Sequence, residues 1–326
     1  MRTLSITAPG VAEIVERPTP EPAPGEALVR IEAVTTCPQW DLHLMNGTSM
    51  FPGRELVYPY MEGQPGHEAT GNVAAVGAGV RSLAVGDRVC TYRDGGHQRP
   101  GCYAEYVSRP AEEFLKAPQD LPAAALAPLE LAMCLRVSFE SLERLDAVRD
   151  ARFGVSGLGP AGIVAIQMAR AGGVREVIGY DLDVGRREFA VNVGADAAFD
   201  PREVAGLDDR HSGDALDASI ECVGAAAATQ FLMDRTRKAV ALFGVLREEA
   251  TFGWRHWSGL ALLGYPFGDD GRPAHSRAAG EAALALVKSG ELDLAVLVGE
   301  TLPLAEYTRG IDLLRAQQKL KVCFVP

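Results

Sequence analysis

No apolar run in the 326-residue sequence approaches the about 20 residues that a bilayer core requires, so no membrane span is expected. Paired cysteines are missing as well. The six cysteines, at 37, 90, 102, 134, 222 and 323, stand far apart with no Cys-x-x-Cys, a usage that suits a reducing cytosol better than a disulfide framework. Positive charge is scarce: Lys+Arg 32 against Asp+Glu 43 leaves a net charge of −11, spread along the chain. An acidic surface repels a phosphate backbone, which argues against a nucleic-acid partner. The opening residues, Met1-Arg2-Thr3-Leu4-Ser5-Ile6-Thr7, lack the apolar stretch of a signal peptide, and the expectation is a cytoplasmic protein. There is no internal repeat and no low-complexity tract. What is present is ordinary globular composition, 47% apolar and 23% charged, over a length that suggests two domains at roughly 150 residues each.

The first stretch reads as β-rich, with strand-prone runs at 27–34 and 71–76, a turn entering a strand at 86–90, and another strand at 103–107. Pro and Gly clusters such as 18–25 separate them. From about residue 121 the texture turns to Ala and Leu, with a helical stretch over 123–145 interrupted by Pro128. Strands and helices then alternate: strand 152–156, helix 161–171, strand 175–181, helix 184–193, strand 218–223, helix 226–236 and strand 239–245. A βαβ rhythm of this kind predicts a doubly wound parallel sheet. The tail adds helix 278–288, a strand near 295–298, helix 304–316 and strand 321–325. The fold class is α/β, with a doubly wound domain over 123–270 inserted in a discontinuous β-rich domain made of 1–122 and 271–326.

Between strand 152–156 and helix 161–171 lies Gly157-Leu158-Gly159-Pro160-Ala161-Gly162. In such a Gly-x-Gly-x-x-Gly the first glycine permits a tight turn, and the second lets backbone approach a pyrophosphate. The third brings helix close to strand, and the helix N-terminus offers its N–H groups to the phosphates. Asp181 ends the next strand, where a carboxylate accepts hydrogen bonds from the adenosine ribose and repels a 2′-phosphate. The pattern predicts an NAD site, with Arg186 and Arg187 as solvated helix residues rather than phosphate ligands. Glycine is frequent here, 35 residues, so it is the strand before, the helix after and Asp181 beyond that lend the loop its meaning.

His and Cys recur in the β-rich part at Cys37, His43, His67, Cys90, His97 and Cys102. Catalytic zinc takes three protein ligands of this kind, or carboxylates, and keeps a fourth position open. A lone histidine would more often be structural. Gly66-His67-Glu68-Ala69-Thr70-Gly71, followed after five residues by Gly77-Ala78-Gly79-Val80, resembles in full the signature of the zinc-containing alcohol dehydrogenases of the medium-chain dehydrogenase/reductase superfamily. Further resemblance lies in Val85-Gly86-Asp87-Arg88-Val89, Tyr103-Ala104-Glu105-Tyr106-Val107, the glycine loop with Asp181, Ile220-Glu221-Cys222-Val223-Gly224 and Lys321-Val322.

The resemblance covers nearly the whole chain and implies a GroES-like catalytic domain, a Rossmann domain and a zinc ion in the cleft between them. It implies His67 as zinc ligand, Cys37 as the thiolate, and Glu68 as a ligand or an aid to ligand exchange. For the dinucleotide it implies Gly157, Gly159, Pro160, Ala161, Gly162, Asp181 and Val223. Three departures stand out. The family pattern Cys-Gly-Ser/Thr-Asp-x-His is replaced by Cys37-Pro38-Gln39-Trp40-Asp41-Leu42-His43, with one extra residue before the Asp. The relaying hydroxyl thereby gives way to Gln39 or Trp40, leaving His43 to carry the proton. The family's Glu-Pro-Leu reads Ala127-Pro128-Leu129-Glu130, so Glu130 would have to serve as third ligand from a new position, with Cys134 the weaker candidate. The four-cysteine lobe is absent, and one catalytic zinc with no structural zinc is expected.

The leading reading is therefore an NAD-dependent zinc-type oxidoreductase acting on a secondary alcohol or its ketone, assembled as a homodimer or homotetramer. Two others fit the same residues: a zinc-free reductase of an activated C=C bond or quinone, and a non-catalytic dinucleotide-binding sensor. Aromatic and sulfur side chains at Trp40, Met45, Met50, Phe51 and Tyr60, and the run Trp254-Arg255-His256-Trp257, are open to either a pocket or a packing role.

Overall fold

The computed structural model describes residues 1–326 except 52, 54, 94, 205–208, 267 and 269–273. The chain divides into two compact units, one formed by 1–133 with 293–326 and the other by 134–292.

In the first unit, β1 (Arg2–Ala8) and β2 (Val11–Glu16) form an antiparallel hairpin whose Leu4 and Ile6 are buried. Next come β3 (Glu26–Thr35), helix α1 (Pro38–Met45), β4 (Glu68–Val76), β5 (Arg88–Thr91), β6 (Tyr106–Pro110) and β7 (Phe114–Lys116). The long β3 is central. It pairs antiparallel with β4 on one side, and β6 joins it over Glu26–Arg30, a pairing the apolar alternation Ala27, Val29, Ile31 supports by burying one face. Helices α2 (Ala123–Leu126) and α3 (Leu129–Glu143) follow, broken at Pro128 as the sequence predicts. Ala123, Ala124 and Ala127 pack with Ala33 and Cys323, which keeps this stretch with the first unit, past the expected 122/123 boundary.

The second unit runs β8 (Arg152–Ser156), α4 (Pro160–Ala171), β9 (Glu176–Tyr180), α5 (Val184–Asn192), β10 (Ala197–Phe199), β11 (Leu216–Glu221), α6 (Ala226–Met233), β12 (Thr236–Leu242), α7 (Trp254–Trp257), β13 (Ala261–Gly264) and α8 (Arg277–Ser289). Among the described residues its strands form one parallel sheet in the order β10-β9-β8-β11-β12-β13. The order reverses between β8 and β11, which is the doubly wound Rossmann arrangement, and ligands of such sheets bind beyond the strand ends at that reversal. Helix α8 groups with this unit, so the second division falls at 292/293. The expected 270/271 boundary lies outside the described residues.

The tail returns to the first unit through β14 (Val298–Pro303), α9 (Tyr307–Arg315) and β15 (Lys321–Val325). Residues 295–297, expected to begin a strand, form a 3-10 turn, and the strand starts at Val298. Strand β15 closes the sheet against β3 and β14, burying Val322 and Phe324 with Tyr103 and Tyr307 in the core. Among the described residues no helix is long and apolar enough to cross a membrane.

Candidate metal centre and dinucleotide site

Cys37, His67 and Glu68 converge in the first unit, with their ligand atoms all within 4.8 Å of one another. Cys37 is the N-cap of α1, so its side chain stands at the helix mouth, while His67 and Glu68 occupy the entry to β4. The extra residue after Cys37 therefore does not turn the thiol away: Pro38 takes the first helical position, where its missing N–H costs nothing. The ring of His67 is oriented by its backbone neighbourhood. A carbonyl can only accept, so the 2.8 Å contact between Nδ1 and the Pro65 oxygen places a proton on Nδ1. Nε2 of the neutral ring then presents a lone pair, and it faces Oε2 of Glu130 at 3.6 Å. Glu130 reaches it from the first turn of α3, in a register the displaced Glu-Pro-Leu pattern had left undecided.

With Nε2 unprotonated, two acceptors would face each other at that distance, an arrangement that a cation between them satisfies. Zinc bound at about 2.0–2.1 Å to nitrogen and oxygen holds tetrahedral ligand atoms about 3.3 Å apart. The spacing, the sulfur–imidazole–carboxylate donor set and the Nδ1–carbonyl orientation all fit that ion.

Glu68 is tied differently. Lys321 Nζ donates to its two oxygens at 2.6 and 2.7 Å and to the Thr36 carbonyl at 2.6 Å, while Thr35 Oγ1 adds a bond at 2.9 Å. Glu68 and Lys321 are each 1% exposed. Burial pushes the Glu68 carboxyl up from its ordinary value, with Lys321 and His67 opposing. As a metal ligand Cys37 would be a thiolate; with two carboxylates and one ammonium the cluster would then carry two negative charges, which a divalent ion neutralises.

Asp41, quoted above only as part of a motif, is the element that fixes Cys37. It is fully buried; Oδ2 accepts the Cys37 N–H at 2.8 Å, and Oδ1 accepts the hydroxyls of Tyr103 at 2.9 Å and Tyr307 at 2.7 Å. Burial raises its carboxyl from 3.8 to about 6, against the pull of those bonds. A carboxyl raised in the native state keeps a proton that the unfolded chain has released. Its stabilising contribution is thus full below 3.8 and lost as pH rises through about 6. Asp41→Asn is expected to flatten that part of the stability–pH curve, as read by thermal melts across the interval.

In the second unit, Gly157 adopts φ +86, and a Cβ there would come within 2.6 Å of Val223 Cγ2. A Cβ on Gly162 would lie 1.9 Å from the Gly157 carbonyl oxygen, so this glycine is required by close packing. Gly159, the N-cap of α4, has open space where a Cβ would be, and Pro160 starts the helix. The loop is thus tight at its ends and open in the middle, as approach of a pyrophosphate requires. Asp181 accepts the Leu158 N–H at 2.8 Å and the Asp183 N–H at 2.9 Å, which holds its carboxylate beside the loop. Arg187, expected to be solvated, instead donates to the Asp181 and Leu182 carbonyls at 2.8 and 2.9 Å. Buried Glu221, absent from the sequence reading as a functional residue, shapes the facing turn by accepting N–H groups of Val223 and Gly224 at 2.7 and 3.0 Å. Burial lifts its carboxyl to about 7.

The comparisons with known proteins agree with this fold. Residues 23–119 match the alcohol dehydrogenase GroES-like domain, and residues 160–279 match the zinc-binding dehydrogenase family. The chain belongs to the zinc-type alcohol dehydrogenases of the medium-chain superfamily. It is 28% identical to an erythritol/L-threitol dehydrogenase of Mycolicibacterium smegmatis, over 100% of this chain and 98% of that protein. It is also 28% identical to an L-threonine 3-dehydrogenase of Anaeromyxobacter sp., over 97% and 96%. Among solved structures it is similar to the alcohol dehydrogenase TADH of Thermus sp. ATN1, with a TM-score of 0.82, 25% identity and full coverage of both chains. Zinc and NAD(P), the cofactors of this family, fit the two residue sets described.

Other residues of this dehydrogenase singled out by sequence find defined places. His43 sits in the last turn of α1, its Nδ1 2.9 Å from Thr48 Oγ1. Trp40, one turn beyond Cys37, lies tilted against His97 at 4.0 Å between ring centroids and meets Phe51 at 5.6 Å, while Tyr60 OH lies 2.7 Å from His97 Nδ1. Met45 belongs to the hydrophobic core. His256 is not offered to a substrate: it is buried, with Nε2 2.9 Å from Asp234 and Nδ1 accepting the Gly253 N–H.

Proposed function

We propose that the chain is an NAD-dependent dehydrogenase that interconverts a secondary alcohol and its ketone, with one zinc held by Cys37, His67 and Glu130. The observation that carries this reading is the His67 Nε2–Glu130 Oε2 approach at 3.6 Å beside the Cys37 thiol. When bound, zinc supplies a Lewis acid for the alcohol oxygen and NAD supplies the hydride acceptor. The protein's own residues do the rest. The Pro65 carbonyl fixes the His67 tautomer, and Asp41 fixes the Cys37 backbone. Lys321 keeps Glu68 in place as a reserve donor for ligand exchange. His43, with Thr48 behind it, takes the alcohol proton outward in place of the hydroxyl that Gln39 or Trp40 has displaced. The Trp40–His97–Tyr60–Phe51 group forms an aromatic wall near Cys37. Homo-oligomer formation belongs to the same reading; among the described residues β13 is the last strand on its side of the parallel sheet.

Asp181, Gly157, Gly159, Pro160, Ala161, Gly162 and Val223 hold the dinucleotide in this reading. Asp181 sets the preference for NAD, because its carboxylate accepts from ribose hydroxyls and repels a 2′-phosphate. A charge-assisted hydrogen bond contributes about 1.5–3 kcal/mol, so Asp181→Ala should lower kcat/KM for NAD by about 10- to 100-fold and narrow the gap to NADP. The reading is tested by NAD reduction with zinc-loaded protein across secondary alcohols, beginning with erythritol, L-threitol and L-threonine. No turnover of any alcohol, together with reduction of enones or quinones, would replace it with the zinc-free reductase.

A further inference from the structure

Outside both sites, β6 carries a buried charge that has no ion-pair partner among the described residues. Arg109, on β6, is among the largest fully buried side chains at 1% exposed. Its Nη2 donates to the Pro100 carbonyl at 3.3 Å, while Nε and Nη1 are buried and have no hydrogen-bond partner. Arg99, next to Pro100, gives its Nη2 to Glu113 Oε2 at 2.5 Å and leaves a buried Nε unpartnered. Gln64 clamps the same turn, donating to the Arg99 and Gly96 carbonyls at 2.9 and 3.3 Å. Glu113 thus pairs with Arg99 alone, and among the described residues no carboxylate lies within ion-pair distance of Arg109.

We propose that Arg109, with Arg99 beside it, binds a small monovalent anion of halide size. One excess positive charge asks for one negative charge, and the unpartnered N–H groups supply the donors an anion needs. The near-complete burial of Arg109 selects a monatomic ion over phosphate or sulfate.

Melting the full-length protein in sodium chloride and in sodium gluconate at equal ionic strength tests this. Chloride at about 0.1 M is expected to raise Tm by about 3 °C over gluconate, saturably, with sulfate matching gluconate. Arg109→Met should abolish the difference. Crystals soaked in bromide should show an anomalous peak at the Arg109 guanidinium, a readout that stands even if Arg109→Met fails to fold. Equal melting in chloride and gluconate, a chloride effect that survives Arg109→Met, or no bromide at Arg109 would each overturn the proposal.

Discussion

Replacing Lys321 by methionine is expected to destabilise the protein by about 3–5 kcal/mol, the cost of leaving a buried charge without its partner. Both Glu68 oxygens accept from Lys321, and both residues are buried, so solvent cannot take over when the ammonium is removed. The loss should depend on pH. Glu68 is already raised above its ordinary 4.5 by burial, and without Lys321 it rises further. The native state then holds a proton that the unfolded chain has released, and stability falls as pH climbs above 4.5. Denaturant unfolding should therefore show a larger deficit at about pH 8 than at about pH 5. The double variant Glu68→Gln/Lys321→Met, which buries no charge at this point, should recover most of the loss. A single variant within about 1 kcal/mol of wild type at both pH values would show that the pair does not carry this part of the fold.

Removing Glu130 is the second change with a large expected effect, and it separates the roles of the two buried carboxylates. A tetrahedral zinc site contributes about 10–16 kcal/mol over four donors, so deletion of one donor forfeits about 3 kcal/mol, or at least a hundredfold in affinity. Glu130→Ala should lose zinc on dialysis against a chelator that wild type withstands, with alcohol turnover falling in step. Glu130 faces His67, whereas the bonds that hold Glu68 come from Thr35 and Lys321, so its removal should leave those bonds in place. If Glu130→Ala keeps its zinc while Glu68→Gln loses it, the third ligand is Glu68 and the assignment of the two carboxylates is reversed.

Local chemistry explains which parts of this structure were readable in advance. Strands Arg152–Ser156 and Lys321–Val325 end where the sequence predicts, because short apolar runs bracketed by polar or turn residues have one way to bury themselves. Pro128 stops a helix for a reason internal to its own ring. The β1–β2 hairpin and α1 left weaker traces: the first mixes exposed and buried positions over few residues, and the second is short and half polar. Glu68, Cys37 and His67 were legible through a motif. Their supports were not. Asp41 meets Tyr103 and Tyr307, and Glu68 meets Lys321, across sequence separations of 62, 266 and 253 residues, and only the closed sheet brings those partners together. Lys321 entered the sequence reading as a mere point of resemblance, although β15 delivers it directly to Glu68.

The central claim is that Cys37, His67 and Glu130 hold one zinc ion. Elemental analysis of protein purified without added metal, compared with His67→Ala, tests it most directly. About one zinc per chain is expected in the wild type and almost none in the variant. A wild-type value near zero in protein that still binds NADH would contradict it.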